Sequence, residues 1–174
     1  MIFAIVGPSG AGKDTLIAGA MRARPDLRLV RRVITRPGDA GGEDFEGVSD
    51  SEFMTRKARG VFALDWQAHG LRYGIPQEQI DRPGDVLFNG SRGALLLALK
   101  AFPELRVIMI TAPEAVLAAR LAARGREMPS DIRDRLLRAN LAMPKGISAV
   151  TVVNDTTPEA GIARLLAALQ PDRG

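Results

Sequence analysis

Apolar residues along the chain follow two rhythms. Short β-branched or aliphatic runs read as buried strands, and stretches with apolar positions three and four apart read as helices. Residues 2–6, Ile-Phe-Ala-Ile-Val, form a run of the first kind and stop at Gly7. Residues 85–89 and 106–111 repeat the pattern, and residues 150–154 give a last strand. Helical spacing covers residues 14–23, stopped before Pro25, then 92 to about 101, 113–124, the arginine-dense 129–142, and 158–169. Ser49 and Glu52 stand at capping-box spacing and open a further helix. Residues 28–35 are strand-like with basic residues interleaved, residues 36–47 are a loop rich in Gly and acidic side chains, and residues 60–76 hold short strand-like pieces around His69 and Tyr73. No internal repeat or low-complexity segment interrupts the pattern.

Core strands alternating with helices predict an α/β fold, a parallel sheet with helices on both faces. In such sheets ligands bind at the carboxyl ends of the strands. Two segments break the alternation, about 32–84 and about 120–144. They are expected to be an acceptor-binding insertion and a mobile lid within one domain spanning residues 1–174.

Composition narrows the classes. Of 174 residues, 46% are apolar, enough for a core, and 25% are charged, as in an ordinary globular domain. The net charge of +4 suits an anionic partner. Six Phe, one Trp and one Tyr argue against a stacking surface for single-stranded nucleic acid. With no cysteine and one histidine, disulfides and cysteine- or histidine-rich metal sites are excluded. No apolar run has membrane-spanning length, and the N-terminal run is too short for a signal peptide, so the expected location is cytoplasmic.

The densest chemistry lies at residues 7–15, Gly7-Pro8-Ser9-Gly10-Ala11-Gly12-Lys13-Asp14-Thr15. A glycine-rich turn between a strand and a helix is the phosphate-binding loop of a P-loop NTPase. Glycines 7, 10 and 12 let backbone N–H groups turn toward phosphate oxygens, and Lys13 adds a point charge at the β- and γ-phosphates. Thr15 offers a hydroxyl to the α-phosphate. Asp14 stands where Ser or Thr usually ligates Mg²⁺. It is either a hard oxygen ligand for that ion or a helix-start residue favoured by the helix dipole.

Along nearly its whole length the chain resembles guanylate kinase. The matching pieces are the loop through Lys13, Thr35-Arg36, Val48-Ser49 with Glu52-Phe53, Tyr73-Gly74, Arg120-Leu121 with Arg124-Gly125, Arg135-Leu136 and Val153-Asn154-Asp155. The resemblance implies the guanylate kinase-like fold. It also implies a changed acceptor, because the guanine-reading carboxylate is Leu64 here, the guanine-reading serine is Ile75, and a phosphate-binding tyrosine is Phe45. A second acceptor arginine is missing after Arg36, and an Asp-x-Asp is Asn89-Gly90-Ser91. The replacements are similar to the ribose 1,5-bisphosphate phosphokinases, whose markers match Lys13-Asp14-Thr15, residues 32–37, residues 64–76 and Asn89-Gly90-Ser91-Arg92. This second resemblance implies ATP-dependent phosphorylation of ribose 1,5-bisphosphate to 5-phosphoribosyl 1-diphosphate, with Mg²⁺, in phosphonate breakdown.

For a small phosphorylated sugar, with no nucleic acid or membrane partner, the binding groups should be cations and hydroxyl readers. Arg36, His69, Arg72 and Arg92 are the candidates for its phosphates, Asp65 for ribose hydroxyls, and Tyr73 for a donated hydrogen bond. The alternative for each arginine is a solvated surface charge, and for His69 a structural role. The nucleophile, a phosphate oxygen, is already anionic, so no general base is required. Arg120, Arg124, Arg126 and Arg135 fall in the lid, Arg120 and Arg124 four apart on one helix face, and are either catalytic cations or a solvated basic face. Asn154 contacts the adenine or merely ends its strand. Two other readings remain, a nucleoside monophosphate kinase with altered base choice and a non-catalytic scaffold on the same fold.

Overall fold

The computed structural model describes residues 1–40, 42–123, 125, 130–134 and 143–170. The described strands of the main sheet are β1 (Ile2–Val6), β2 (Arg28–Leu29), β7 (Val86–Asn89), β8 (Arg106–Thr111) and β9 (Val150–Val153), in the order β2-β7-β1-β8-β9. β2 pairs with β7 in parallel, Arg28 opposite Val86, and β8 with β9 in parallel, Ile108 opposite Val150. This is the α/β architecture expected from strand–helix alternation. The chain divides into two compact units, Met1–Ala4 with Asp26–Arg106 and Ile5–Pro25 with Val107–Gly174.

The first unit adds a second sheet, ordered β4-β3-β6-β5, from β3 (Val33–Ile34), β4 (Glu46–Gly47), β5 (Phe62–Ala68) and β6 (Leu71–Pro76). The single strand expected over residues 28–35 is two short strands in two sheets. Arg28 holds the first, donating to the carbonyls of Gln79 at 2.8 Å and Arg82 at 2.7 Å, and Val30 N–H reaches Leu87 O at 2.9 Å. Val33 and Ile34 then pair with Gly74 and Tyr73 in the other sheet. The pieces expected over 60–76 form one antiparallel hairpin, Ala68 opposite Leu71. His69 and Gly70 make its two-residue turn with φ of 53° and 72°. A turn with positive φ at both central positions matches the twist of the flanking strands.

Helix α2 (Asp50–Ala58) starts where the sequence places it: Ser49 Oγ accepts the Glu52 N–H at 3.1 Å. The reciprocal half of the capping box is not made, because the Glu52 carboxylate accepts from Arg56 Nε at 2.9 Å instead. A short α3 (Gln77–Ile80) follows β6. After β7, a 3₁₀ turn (Arg92–Ala94) leads into α4 (Leu95–Ala101), so the helix expected from residue 92 becomes α-helical three residues later. Phe3, Phe53, Leu87, Phe88, Ile34, Ile75 and Leu95 fill this unit's core, and Phe53 stacks on Phe62 at 4.6 Å.

The second unit packs α1 (Lys13–Ala23) against α6 (Pro158–Ala168), with α5 (Glu114–Ala123) after β8. Gly19 of α1 meets Ile162 of α6 so closely that a Cβ there would overlap the isoleucine side chain. Thr157 caps α6, accepting the Ala160 N–H at 3.2 Å, and Pro158 opens it at a position where a missing N–H costs nothing. Most of the helix expected over 129–142 lies outside the described residues. None of the described helices is long and apolar enough to cross a membrane.

Candidate active site

The loop from Gly7 to Gly12 joins β1 to α1 in the second unit. Strand residues Ile5 and Val6 are fully buried, which fixes where the loop starts. Gly7, at φ 151°, lies so close to the Ile110 carbonyl oxygen that any Cβ would collide with backbone. Gly12, at φ 86°, is the N-cap of α1, and no side chain caps that helix. The first N–H groups of the helix therefore sit at an uncapped positive end, the arrangement that binds anions. Lys13 Nζ folds back on the loop, donating to Gly7 O at 2.6 Å and Pro8 O at 3.2 Å. Pro8, Gly10 and Ala11 are buried, whereas Ser9, Asp14 and Thr15 are exposed.

Two side chains from elsewhere in this unit brace the loop. Leu117 and Leu121, one turn apart on α5, are buried, and both lie next to Gly10. That packing brings Arg120, on the same side of the helix, to the loop. Its Nη1 donates to Gly10 O at 3.1 Å and Ala11 O at 3.3 Å, and its Nη2 to Asn154 O at 2.7 Å. Asn154, 6% exposed after β9, donates from Nδ2 to Ala11 O at 2.8 Å, and its N–H reaches Thr111 O at 2.7 Å. Both residues, expected at phosphate and adenine, are thus bonded to loop and strand-end carbonyls. Arg124, Arg126 and Arg135 lie outside the described residues.

A resident Mg²⁺ ion needs hard oxygen donors. No cluster of three or more His, Cys, Asp or Glu able to hold a metal exists among the described residues. Asp14, exposed in the first turn of α1, supplies one carboxylate next to Lys13. That fits an ion that keeps several waters and takes its remaining ligands from substrate phosphates.

The other expected residues lie in the first unit. Arg36 is half-buried, donating to Ala40 O at 3.2 Å with its guanidinium 5.4 Å from the Phe45 ring. Asp65 pairs with Lys57 at 2.9 Å. His69 is exposed at the hairpin turn, where its positive φ gives it a backbone task. Arg72 reaches Asp50 at 3.5 Å, and its N–H donates to Thr35 Oγ1 at 2.9 Å. Tyr73 is stacked on Trp66, rings 5.4 Å apart and 6° from parallel. Burial holds its phenol above the ordinary value, partly offset by the Arg32 charge. Arg92 is half-buried at the start of the 3₁₀ turn, and desolvation lowers its guanidinium from the usual value. Leu64 and Ile75, opposite each other in the hairpin, are both buried. The two positions that carry guanine readers in guanylate kinase are here an apolar pair.

Sequence reasoning missed Arg32 and Glu43. Arg32 is 9% exposed, yet it carries a charge. Its Nε donates to Glu43 Oε2 at 3.0 Å, its Nη2 to Glu43 Oε1 and its Nη1 to the Asn89 carbonyl at 3.1 Å, and its guanidinium lies 4.9 Å over the Tyr73 ring. The only signal was an acidic pair, Glu43-Asp44, in a loop following Arg31-Arg32.

No family model matches the chain. Curated proteins do. The chain is 49% identical over 176 residues to a ribose 1,5-bisphosphate phosphokinase PhnN of Ruegeria sp. (strain TM1040), covering 99% of this chain and 93% of that one. It is 45% identical over 173 residues to a bifunctional ribose 1,5-bisphosphokinase-thymidine phosphorylase of Cupriavidus pinatubonensis, covering 97% of this chain but only 29% of that longer protein. Among solved structures, the guanylate kinase of Anaplasma phagocytophilum aligns with a TM-score of 0.61 at 17% identity, over 98% of this chain and 87% of that one, a likeness of fold. With near-half identity sustained over almost the full length of both proteins, the chain belongs to the ribose 1,5-bisphosphate phosphokinase family.

Proposed function

We propose that the protein transfers the γ-phosphoryl group of ATP to the 1-phosphate of ribose 1,5-bisphosphate, giving 5-phosphoribosyl 1-diphosphate and ADP. The observation that carries this reading is 49% identity across nearly the whole of a kinase bearing that name. The buried Leu64–Ile75 pair supports it, because neither of those two positions carries a hydrogen-bonding side chain to read a purine.

An oxygen of the 1-phosphate attacks the γ-phosphorus in line, the bond to the β-phosphate oxygen breaks, and ADP departs with the electron pair. The attacking oxygen carries its own negative charge, so the protein supplies position and charge rather than a base. The loop of residues 7–12 cradles the donor phosphates with backbone N–H groups. Lys13 leaves the Gly7 and Pro8 carbonyls for the β- and γ-oxygens, and Thr15 serves the α-phosphate. Asp14 would hold Mg²⁺ together with substrate phosphates, and the ion would supply charge neutralisation at the triphosphate. Arg120, Arg124 and Arg135 belong to a lid over about residues 120–144 that excludes water as it closes. Asn154 sits at the adenine end. The insertion over about residues 32–84, with Arg92 after it, takes the sugar: Arg36, His69, Tyr73 and Arg92 at its phosphates and Asp65 at its hydroxyls. Both insertions belong to one kinase domain acting in the cytoplasm.

The test is ADP release with ATP and Mg²⁺ against ribose 1,5-bisphosphate and against a panel of nucleoside monophosphates. Turnover is expected with the sugar bisphosphate alone. Comparable turnover with GMP would overturn the assignment in favour of a nucleoside monophosphate kinase.

A further inference from the structure

The carboxyl end of β7 carries an oxygen with nothing to bind. Asn89 is the last residue of that strand and 7% exposed, and its Oδ1 is buried without a hydrogen-bond partner among the described residues. A buried acceptor left unpaired costs the folded chain stability, and such atoms are uncommon enough to need a cause. The Arg32 guanidinium is committed elsewhere. Arg32 Nη1 goes to the backbone carbonyl of Asn89, not to its side chain, while Nε and Nη2 go to Glu43. Glu43 also balances the charge of Arg32, and the Tyr73 ring lies under the guanidinium. The strand end is therefore held in place by a neutralised clamp, and the orphan oxygen stays orphaned.

We propose that Asn89 Oδ1 accepts a hydrogen bond from a ribose hydroxyl of the acceptor sugar, which makes Asn89 a specificity-determining residue and the Arg32–Glu43 pair its positioning support. The inference rests on the acceptor being ribose 1,5-bisphosphate. Chemistry selects the group that is bound. An unpaired carbonyl-type oxygen needs a donor, and ionised phosphate oxygens are acceptors. On this sugar the donors are the 2- and 3-hydroxyls. Position agrees, since ligands of open parallel sheets bind beyond the carboxyl ends of the strands. The oxygen itself is buried, but the terminal torsion of an amide is broad, so a turn of the carboxamide is what brings it to an incoming hydroxyl.

The experiment compares wild type, Asn89→Leu and Asn89→Asp, with ATP, on ribose 1,5-bisphosphate and on its 2-deoxy and 3-deoxy analogues. A site built to bond a substrate hydroxyl rejects the analogue lacking it, so wild type should prefer ribose over one analogue at least about tenfold in kcat/KM. Asn89→Leu should lose ribose turnover until that preference falls to about twofold or less. Asn89→Asp, which keeps an acceptor oxygen, should retain the preference while losing rate to charge repulsion. The melting temperature of Asn89→Leu without ligand should not fall, because the deleted oxygen has no partner to lose. A lower melting temperature with the wild-type preference intact would assign Asn89 a purely structural role and overturn the inference. So would Asn89→Asp that folds and has lost the preference. In both of those cases wild-type turnover of ribose 1,5-bisphosphate leaves the proposed activity standing. Failure of wild type on that sugar refutes the activity and this inference together.

Discussion

Arg120 separates two physical roles that the sequence leaves together. As a lid cation it acts only on the transferring phosphoryl group, and removing it slows transfer without touching the fold. As observed, it braces the donor loop through three hydrogen bonds to the carbonyls of Gly10, Ala11 and Asn154. Hydrogen bonds from a charged donor contribute about 1.5–3 kcal/mol each. The Ala11 carbonyl keeps a second donor, Asn154 Nδ2 at 2.8 Å, so its loss counts for little. The carbonyls of Gly10 and Asn154 account for most of the effect, reduced because the pair is only part-buried and water reaches it. Arg120→Ala should therefore lower the unfolding free energy by about 2–4 kcal/mol. Arg120→Lys keeps the charge but not the planar fork that spans loop and strand end, and should recover less than about half of that loss. Equilibrium unfolding in guanidinium chloride measures both, and ATP titration of the same proteins should show weakened binding in the same order. If Arg120→Ala unfolds within about 0.5 kcal/mol of wild type while kcat collapses, the brace is not what holds the loop, and Arg120 acts on phosphate alone.

Other sites give sharper single outcomes. Lys13→Ala should abolish phosphoryl transfer in a protein that still folds, with a lowered melting temperature because the bonds to the Gly7 and Pro8 carbonyls are lost; normal turnover would refute the donor-site assignment. Gly7→Ala should cost at least about 2 kcal/mol, because its Cβ meets the Ile110 backbone, which cannot move aside as a side chain would; a wild-type thermal melt would contradict this. Glu46 is held below its ordinary 4.5 first by the hydrogen bond from Arg56, with burial opposing. Its folded value being depressed, the pair stabilises fully above the ordinary value, and that contribution drains away as pH falls through the folded one. Glu46→Gln should thus be less stable than wild type at neutral pH by under about 1 kcal/mol, and the gap should close in acid; a gap independent of pH would exclude the ion pair as its source. Tyr73 is the one tyrosine, so phenolate absorbance reads it directly. Its midpoint should lie above 10.0 in the folded protein and return there in urea, and a folded midpoint at or below 10.0 would contradict its burial.

What could be read from the sequence sorts by how far apart the cooperating residues stand. The donor loop was legible because strand, turn and helix follow one another within residues 1–23 and the glycines declare the backbone conformations they permit. Ser49 and Glu52 declared a helix start for the same reason, although the return bond of the capping box lost to a nearer cation, Arg56. Residues 28–35 misled, since their periodicity cannot say that a chain changes sheets between Val30 and Val33. His69 offered two readings, ligand or structural, while its backbone task was written in the adjacent Gly70 and in the two-residue gap between alternating strands. Asn154 shows the limit most clearly. Its place at a strand end was readable, but its bond to the Ala11 carbonyl joins residues 143 apart. Arg32 and Asn89, 57 residues apart, are the same case. A charged side chain at 9% exposure needs the partner it finds in Glu43, and an amide oxygen with no partner among the described residues breaks the rules by which sequences specify cores; neither is visible until the fold is known. If binding rather than folding selected Asn89, as the inference above has it, the specificity of this kinase is to be sought at the end of β7 rather than in the loop that first declares the protein a phosphate binder.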